Sequence, residues 1–95
     1  MEANSRIIPI ELLQTFVCVA ESKSVSKAAA FLRITQPAVS LRIKKLATML
    51  DAELFVWRNG SFSMTADGTQ FYPVAKKVVD SYFDAMSGLR LNSGS

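Results

Sequence analysis

A chain of 95 residues, 49% hydrophobic and 20% charged, has the size and composition of one small folded domain and not of a disordered segment. Eleven basic against eight acidic side chains leave a net charge of +3, compatible with a polyanionic partner but too mild to require one, so the placement of the charges must decide. Histidine is absent and cysteine occurs once, which removes the commonest general base and metal ligand, argues against an enzyme, and leaves no internal disulfide or paired zinc motif to suggest an oxidising compartment.

Pro9 keeps the residues before it out of a helix. Leu12, Leu13, Phe16, Val17 and Ala20 then recur at three- and four-residue intervals, which predicts a first amphipathic helix from about Ile10 to Glu21. Cys18, set between two valines of that pattern, reads as a small buried thiol with no basic partner nearby in sequence. Ser24 suits the N-cap of a short second helix, Val25–Leu32, whose Ala28 and Ala29 let another helix approach closely. After the turn Arg33, Ile34, Thr35, a third helix runs to about Leu50, capped by Thr35 and with Pro37 in the first turn, where its missing N–H costs nothing. Wound at the helical period, Val39, Ile43, Leu46 and Leu50 form one stripe; Pro37, Leu41, Lys44, Lys45 and Thr48, flanked by Ser40, form the other. Asp51 ends the helix in a left-handed conformation.

Leu54–Trp57 and Phe62–Met64 are short β-prone runs around Arg58, Asn59, Gly60 and Ser61, and Asn-Gly is a strong hairpin signal. Thr65 then caps a long last helix from Ala66 to about Leu91, with Asp67 in its first turn, and residues 92–95 read as a disordered tail. No stretch approaches the ~20 apolar residues of a membrane span, and Met1 to Arg6 is too polar and short for a signal peptide. The expected fold is therefore mainly α: a winged helix-turn-helix over residues 8–65, of three helices and a two-stranded wing with the helix-turn-helix at about 25–44, followed by a long helix over 66–91. The expected setting is cytoplasmic, without a membrane.

Two helices joined by a three-residue turn, the second basic and followed by a hairpin, match the arrangement that lays a recognition helix in the major groove and a wing against the backbone. Gln36 can pair bidentately with adenine, and Pro37 offers a flat apolar surface to a thymine methyl. Ser40, Lys44 and Lys45 suit phosphates, and Thr35 can add a hydroxyl or a backbone N–H. Against this stands the bland alternative that Gln36, Ser40 and the lysine pair form only a solvated face, and that Arg58 is an exposed charge rather than a phosphate or minor-groove contact.

The stretch Ser26-Lys27-Ala28-Ala29, then Leu32, Thr35-Gln36-Pro37-Ala38-Val39-Ser40, Ile43, Leu46, Leu50, Leu54-Phe55 and Thr65-Ala66-Asp67-Gly68 resembles the N-terminal domain of LysR-type transcriptional regulators, over about Ile10 to Leu91. The resemblance implies sequence-specific binding of double-stranded DNA, with the positions of Gln36, Pro37, Ser40 and Leu41 facing it; Ser26 and Lys27, which open the stretch, join the expected DNA-binding set. It also implies a linker helix pairing with that of a second subunit, and a C-terminal domain, outside this chain, for a small-molecule effector. No cofactor is expected in the chain itself. Two positions depart from the family pattern. Leu41 stands where arginine is common, and Trp57 stands where arginine usually follows Leu-Phe, with Arg58 one place later. Trp57 is expected to pack as core rather than to touch DNA.

Along the last helix Phe71, Val74, Ala75, Val78, Tyr82, Ala85 and Leu89 form one apolar stripe, and Tyr72, Val79, Phe83 and Met86 a second beside it. One small domain cannot cover both, which predicts a homodimer through Phe71, Val74, Val78, Tyr82, Ala85 and Leu89, with a tetramer left open for the full-length protein. The alternative is that one stripe packs against the absent C-terminal domain. A rival function is a protein-interaction or dimerisation module that uses the same fold without DNA.

Overall fold

The computed structural model describes residues 7–59 and 61–94; Met1 to Arg6, Gly60 and Ser95 lie outside it. Helix α1 (Ile10–Ser22) starts directly after Pro9, whose carbonyl accepts from Leu12 N–H at 3.0 Å, and stops where Lys23 turns left-handed at φ 56°. In α2 (Val25–Leu32) the Ser24 hydroxyl accepts from Lys27 N–H at 3.0 Å, and Arg33 ends the helix at φ 60°. Helix α3 (Gln36–Leu50) repeats the pattern, with Thr35 accepting from Ala38 N–H at 3.2 Å and Asp51 left-handed at φ 54°. The side-chain caps satisfy first-turn N–H groups that have no partner inside the helix.

Strands β1 (Phe55–Arg58) and β2 (Ser61–Met64) pair antiparallel, Phe55 opposite Met64, Trp57 opposite Phe62 and Arg58 opposite Ser61. The ladder thus runs one residue nearer the turn than expected, because Arg58 and Ser61 pair instead of sitting in the loop. Asn59 takes φ 50°, as a two-residue hairpin turn of this hand demands. Helix α4 (Ala66–Gly94) begins at Thr65, whose hydroxyl accepts from Gly68 N–H at 2.9 Å and donates to the Glu53 carbonyl at 2.6 Å. It continues three residues past the expected end at Leu91. Apolar periodicity marks what a helix buries, and the backbone ladder propagates beyond the last buried contact.

Helix α1 lies at the centre and touches α2, α3 and α4. Phe16 is wholly buried, and its ring meets Phe55 of β1 at 5.4 Å and Phe71 of α4 at 5.5 Å, so one side chain joins three elements. Ala28 and Ala29 are buried where α2 crosses its neighbours, and Val39, Ile43 and Leu46 seat α3 on the core. Leu50, expected on that stripe, is only half-buried; Ala47 takes the enclosed place.

Two expectations are corrected. Trp57 is not core: it is 51% exposed, its ring packed beside Phe62 at 4.8 Å and Phe55 at 6.0 Å. Residues 55 and 57 share a face of the hairpin. The globule covers that face only at Phe55, and β1 carries Trp57 beyond the edge. Phe71 does not lie on a free surface, because it turns inward onto Phe16. Ala75 and Val79 are buried with it, so α4 packs on its own domain across the boundary between the two predicted stripes.

Candidate nucleic-acid interface

The α2–turn–α3 segment is held by backbone bonds that its sequence makes locally. Arg33 N–H reaches the Ala30 carbonyl at 3.3 Å and Ile34 N–H the Ala29 carbonyl at 3.0 Å, closing α2 with half-buried Ile34 tucked beneath. Thr35 then opens α3. Its hydroxyl oxygen is engaged as the cap, which leaves the O–H proton to donate outward.

With Val39, Ile43 and Leu46 facing in, the opposite side of α3 is fixed. Gln36, Pro37, Ser40, Leu41, Lys44 and Lys45 are all exposed, Leu41 to 67%. Among the described residues no carboxylate pairs with Lys44 or Lys45, and the Gln36 amide and Ser40 hydroxyl have no intramolecular partner. The result is a ridge of unspent donors and acceptors with two cations behind it. Ser26 and Lys27 are exposed on the first turn of α2. Arg58 is exposed at the hairpin end, where the Ser61 hydroxyl donates to its carbonyl at 3.1 Å. Thus every residue singled out from the sequence for DNA contact is accessible, on α2, the turn, α3 or the wing.

Helix α4 is locked to α1 by a cluster the sequence did not reveal. Tyr72 Oη donates to Glu21 Oε2 at 2.5 Å, and Lys76 Nζ lies 3.2 Å from the same oxygen and 3.4 Å from Asp80. The Tyr72 hydroxyl, helped by Lys76, holds the Glu21 carboxyl below its ordinary range, and the carboxylate in turn pushes the Tyr72 hydroxyl and the Lys76 ammonium up. Only the Lys76–Asp80 half, four residues apart on one helix, carries a local signal. Half-buried Cys18 borders this region, its thiol pushed up by burial and by the Glu21 charge, as suits a packing role. No three His, Cys, Asp or Glu side chains among the described residues are grouped to hold a metal, and no described helix is long and apolar enough to cross a membrane.

Beyond the anchor, α4 presents Val74, Val78, Tyr82, Ala85 and Leu89 to solvent, with Phe83 and Met86 alongside. The Tyr82 and Phe83 rings meet edge to face at 5.0 Å.

Three helices, a two-stranded wing and a long fourth helix make this a winged helix-turn-helix domain of the kind found in DNA-binding regulators. Residues 10–69 match the family model of bacterial regulatory helix-turn-helix proteins, lysR family, and the chain belongs to that family. It is 41% identical over 73 residues to the uncharacterized HTH-type transcriptional regulator YxjO of Bacillus subtilis, a match covering 77% of this chain and 25% of that protein. It is 33% identical over 90 residues to the HTH-type transcriptional regulator CfxR of Cupriavidus necator, covering 95% and 28%. Among solved structures, a complex of the BenM DBD with catB site 1 DNA superposes with a TM-score of 0.78 at 32% identity, over 92% of this chain and 97% of that one. The oxidized form of Corynebacterium glutamicum OxyR gives 0.85 at 29% identity, over 90% and 28%. The chain spans about a quarter of the length of the curated relatives it matches.

Proposed function

We propose that this chain binds double-stranded DNA sequence-specifically, as the DNA-binding part of a LysR-type transcriptional regulator in the bacterial cytoplasm, with α3 in the major groove. The observation that carries the reading is the outer face of α3, where Gln36, Pro37, Ser40, Leu41 and Lys44 stand exposed on a helix whose other side is anchored in the core. The BenM DBD, a fold neighbour over nearly the whole chain and itself solved as a DNA complex, supports it. Gln36 reads adenine through its amide, and Pro37 and Leu41 meet thymine methyls. Ser40, Lys44 and Lys45 hold phosphates from α3, Thr35 from the turn, Ser26 and Lys27 from α2, and Arg58 from the hairpin tip, which fixes register without specifying sequence.

A second copy docks through Val74, Val78, Tyr82, Ala85 and Leu89 of α4, placing two recognition helices on a roughly two-fold site. Tetramer formation and effector sensing belong to the full-length protein, the latter to a C-terminal domain; the chain itself uses no cofactor. Selection of bound sequences from a pool of random duplexes tests the reading directly. Enrichment of a motif repeated at a spacing of about one helical turn is the expected result. No enrichment, together with affinity that does not change between low and physiological salt, would instead indicate a protein-interaction module.

A further inference from the structure

A groove runs between α3 and the wing. Its α3 wall carries Ser40, Lys44 and Thr48, and its wing wall carries Phe55 and Trp57. Both walls spring from the turn at Asp51–Leu54, and going outward from that turn sets the order of residues along each. Six residues back along α3, Lys44 lies about 9 Å from Leu50, and three residues along β1, Trp57 lies about 10 Å from Leu54. Both side chains line the groove, Lys44 on the α3 wall and Trp57 on the wing wall, each well away from the turn. Asp51 and Glu53 line the inner end.

From this geometry we infer that Trp57 is itself a DNA-contacting residue, closing over one sugar–phosphate strand of the duplex as that strand enters the groove beside Lys44. The inference rests on the DNA-binding reading above. Three features specify the occupant. The ring is half exposed, which for so large an apolar surface leaves burial to a partner. Its N–H has no acceptor among the described residues, so it is free to donate to a phosphate oxygen while the ring face lies on the deoxyribose. Finally, the charge gradient along the groove, from Lys44 outside to Asp51 and Glu53 within, admits a phosphate at the outer end and repels it from the inner. Phe62 and Phe55 hold the ring in place beforehand, so little side-chain freedom is lost on contact. Arg58, next along the strand, points to the opposite face of the hairpin and does not replace it.

Trp57 is the sole tryptophan, so tryptophan emission reports on the surroundings of this residue and no other. The experiment titrates the 95-residue chain with an unlabelled random-sequence duplex at low salt, measures acrylamide quenching of Trp57, and follows binding in parallel by anisotropy of a fluorescein-labelled duplex. The expected result is an acrylamide quenching constant that falls at least about twofold at saturation. Trp57→Ala should weaken binding about tenfold, equivalent to about 1.4 kcal/mol, on selected and scrambled duplexes alike. The salt slope should stay unchanged, because a neutral side chain releases no counterion; Trp57→Phe should fall between. Anisotropy that rises while quenching stays constant overturns the assignment and leaves DNA binding standing; wild-type affinity in Trp57→Ala does the same. Anisotropy that never rises sinks both.

Discussion

Gly68→Ala sets two opposed effects against each other, and the structure decides the sign. In the first turn of a helix alanine is favoured over glycine by up to about 1 kcal/mol, so local propensity alone predicts a more stable protein. A Cβ built on Gly68, however, would sit 2.2 Å from the Leu54 carbonyl oxygen and 3.1 Å from its carbon, backbone atoms that cannot swing aside. Relief requires α4 and the β1 entry to separate by about 1 Å, an overpacking cost of about 1–3 kcal/mol. That movement also strains the bonds holding this joint, Thr65 N–H to Leu54 O at 3.1 Å and Thr65 O–H to Glu53 O at 2.6 Å. Losing one adds about 1–3 kcal/mol if a partner is left enclosed. The net expectation is destabilisation by roughly 3 kcal/mol, or a melting temperature lower by about 10–20 °C for a domain of this size. Helical circular dichroism during thermal and urea unfolding measures it, at one fixed protein concentration because self-association of any kind would add to stability. A variant as stable as the parent, or more so, would mean that propensity wins and that the close seating of α4 on Leu54 does not constrain the fold.

Four further outcomes are expected. Gln36→Ala should reduce discrimination between selected and scrambled duplex by about 1–3 kcal/mol in competition binding, with little change on scrambled DNA. Lys44→Ala should weaken all sequences alike and make the log–log salt slope shallower by about one; the reverse pattern in these two variants would mean the groove-facing side of α3 is misplaced. Val78→Glu should give a monomer by sedimentation equilibrium, since it sets a charge in the middle of the exposed α4 face. Tyr72→Phe removes the main cause of the lowered Glu21 carboxyl. A depressed carboxyl stabilises the fold above its unfolded pKa of about 4.3 and loses that contribution as pH falls through the folded value, so the variant should lose less than about 1 kcal/mol at pH 7, with the gap to the parent in urea melts narrowing as the pH is taken down below that range.

What the sequence discloses follows the range over which each signal acts. Ser24, Thr35 and Thr65 cap helices through their own side chains within three residues, so the starts of α2, α3 and α4 are legible from residue type and spacing. The stops carry a weaker signal: Lys23 and Arg33 turn left-handed although neither is a glycine or asparagine, so residue type does not announce the local backbone bonds that close α1 and α2 there. The outward side of α3 can be read because Val39, Ile43 and Leu46 declare the inward one. Helix α4 cannot be divided that way. Its apolar surface is wider than one contact needs, and the choice of Phe71, Ala75 and Val79 for the home domain depends on where Phe16 lies in α1. Glu21 and Tyr72 meet across 51 residues and leave no local trace. The exposure of Trp57 is hidden for a related reason: residue type assigns a large aromatic to the interior, while the reach of a two-strand wing beyond its globule is a property of the assembled fold.

Leu41 and Trp57 are the two departures from the family pattern, and the structure gives them a common character. Both stand where arginine is usual, both are more than half exposed, one on the ridge of α3 and the other on the wall of the adjoining groove. On the proposed reading, each arginine replaced in this way removes about 0.9 from the salt slope if it had paired with a phosphate. It substitutes apolar area whose burial contributes roughly 25 cal/mol per Å², a contribution that counterions do not screen. On that same reading a chain of net charge +3 keeps affinity with fewer ion pairs, and more of that affinity would come from apolar contact, at Leu41 with base methyls and at Trp57 with the sugar edge. Of the two, only the Leu41 contact depends on sequence, because a thymine methyl is present or absent at a given step whereas every nucleotide carries a deoxyribose; altered target preference therefore belongs to Leu41, and uniform affinity to Trp57.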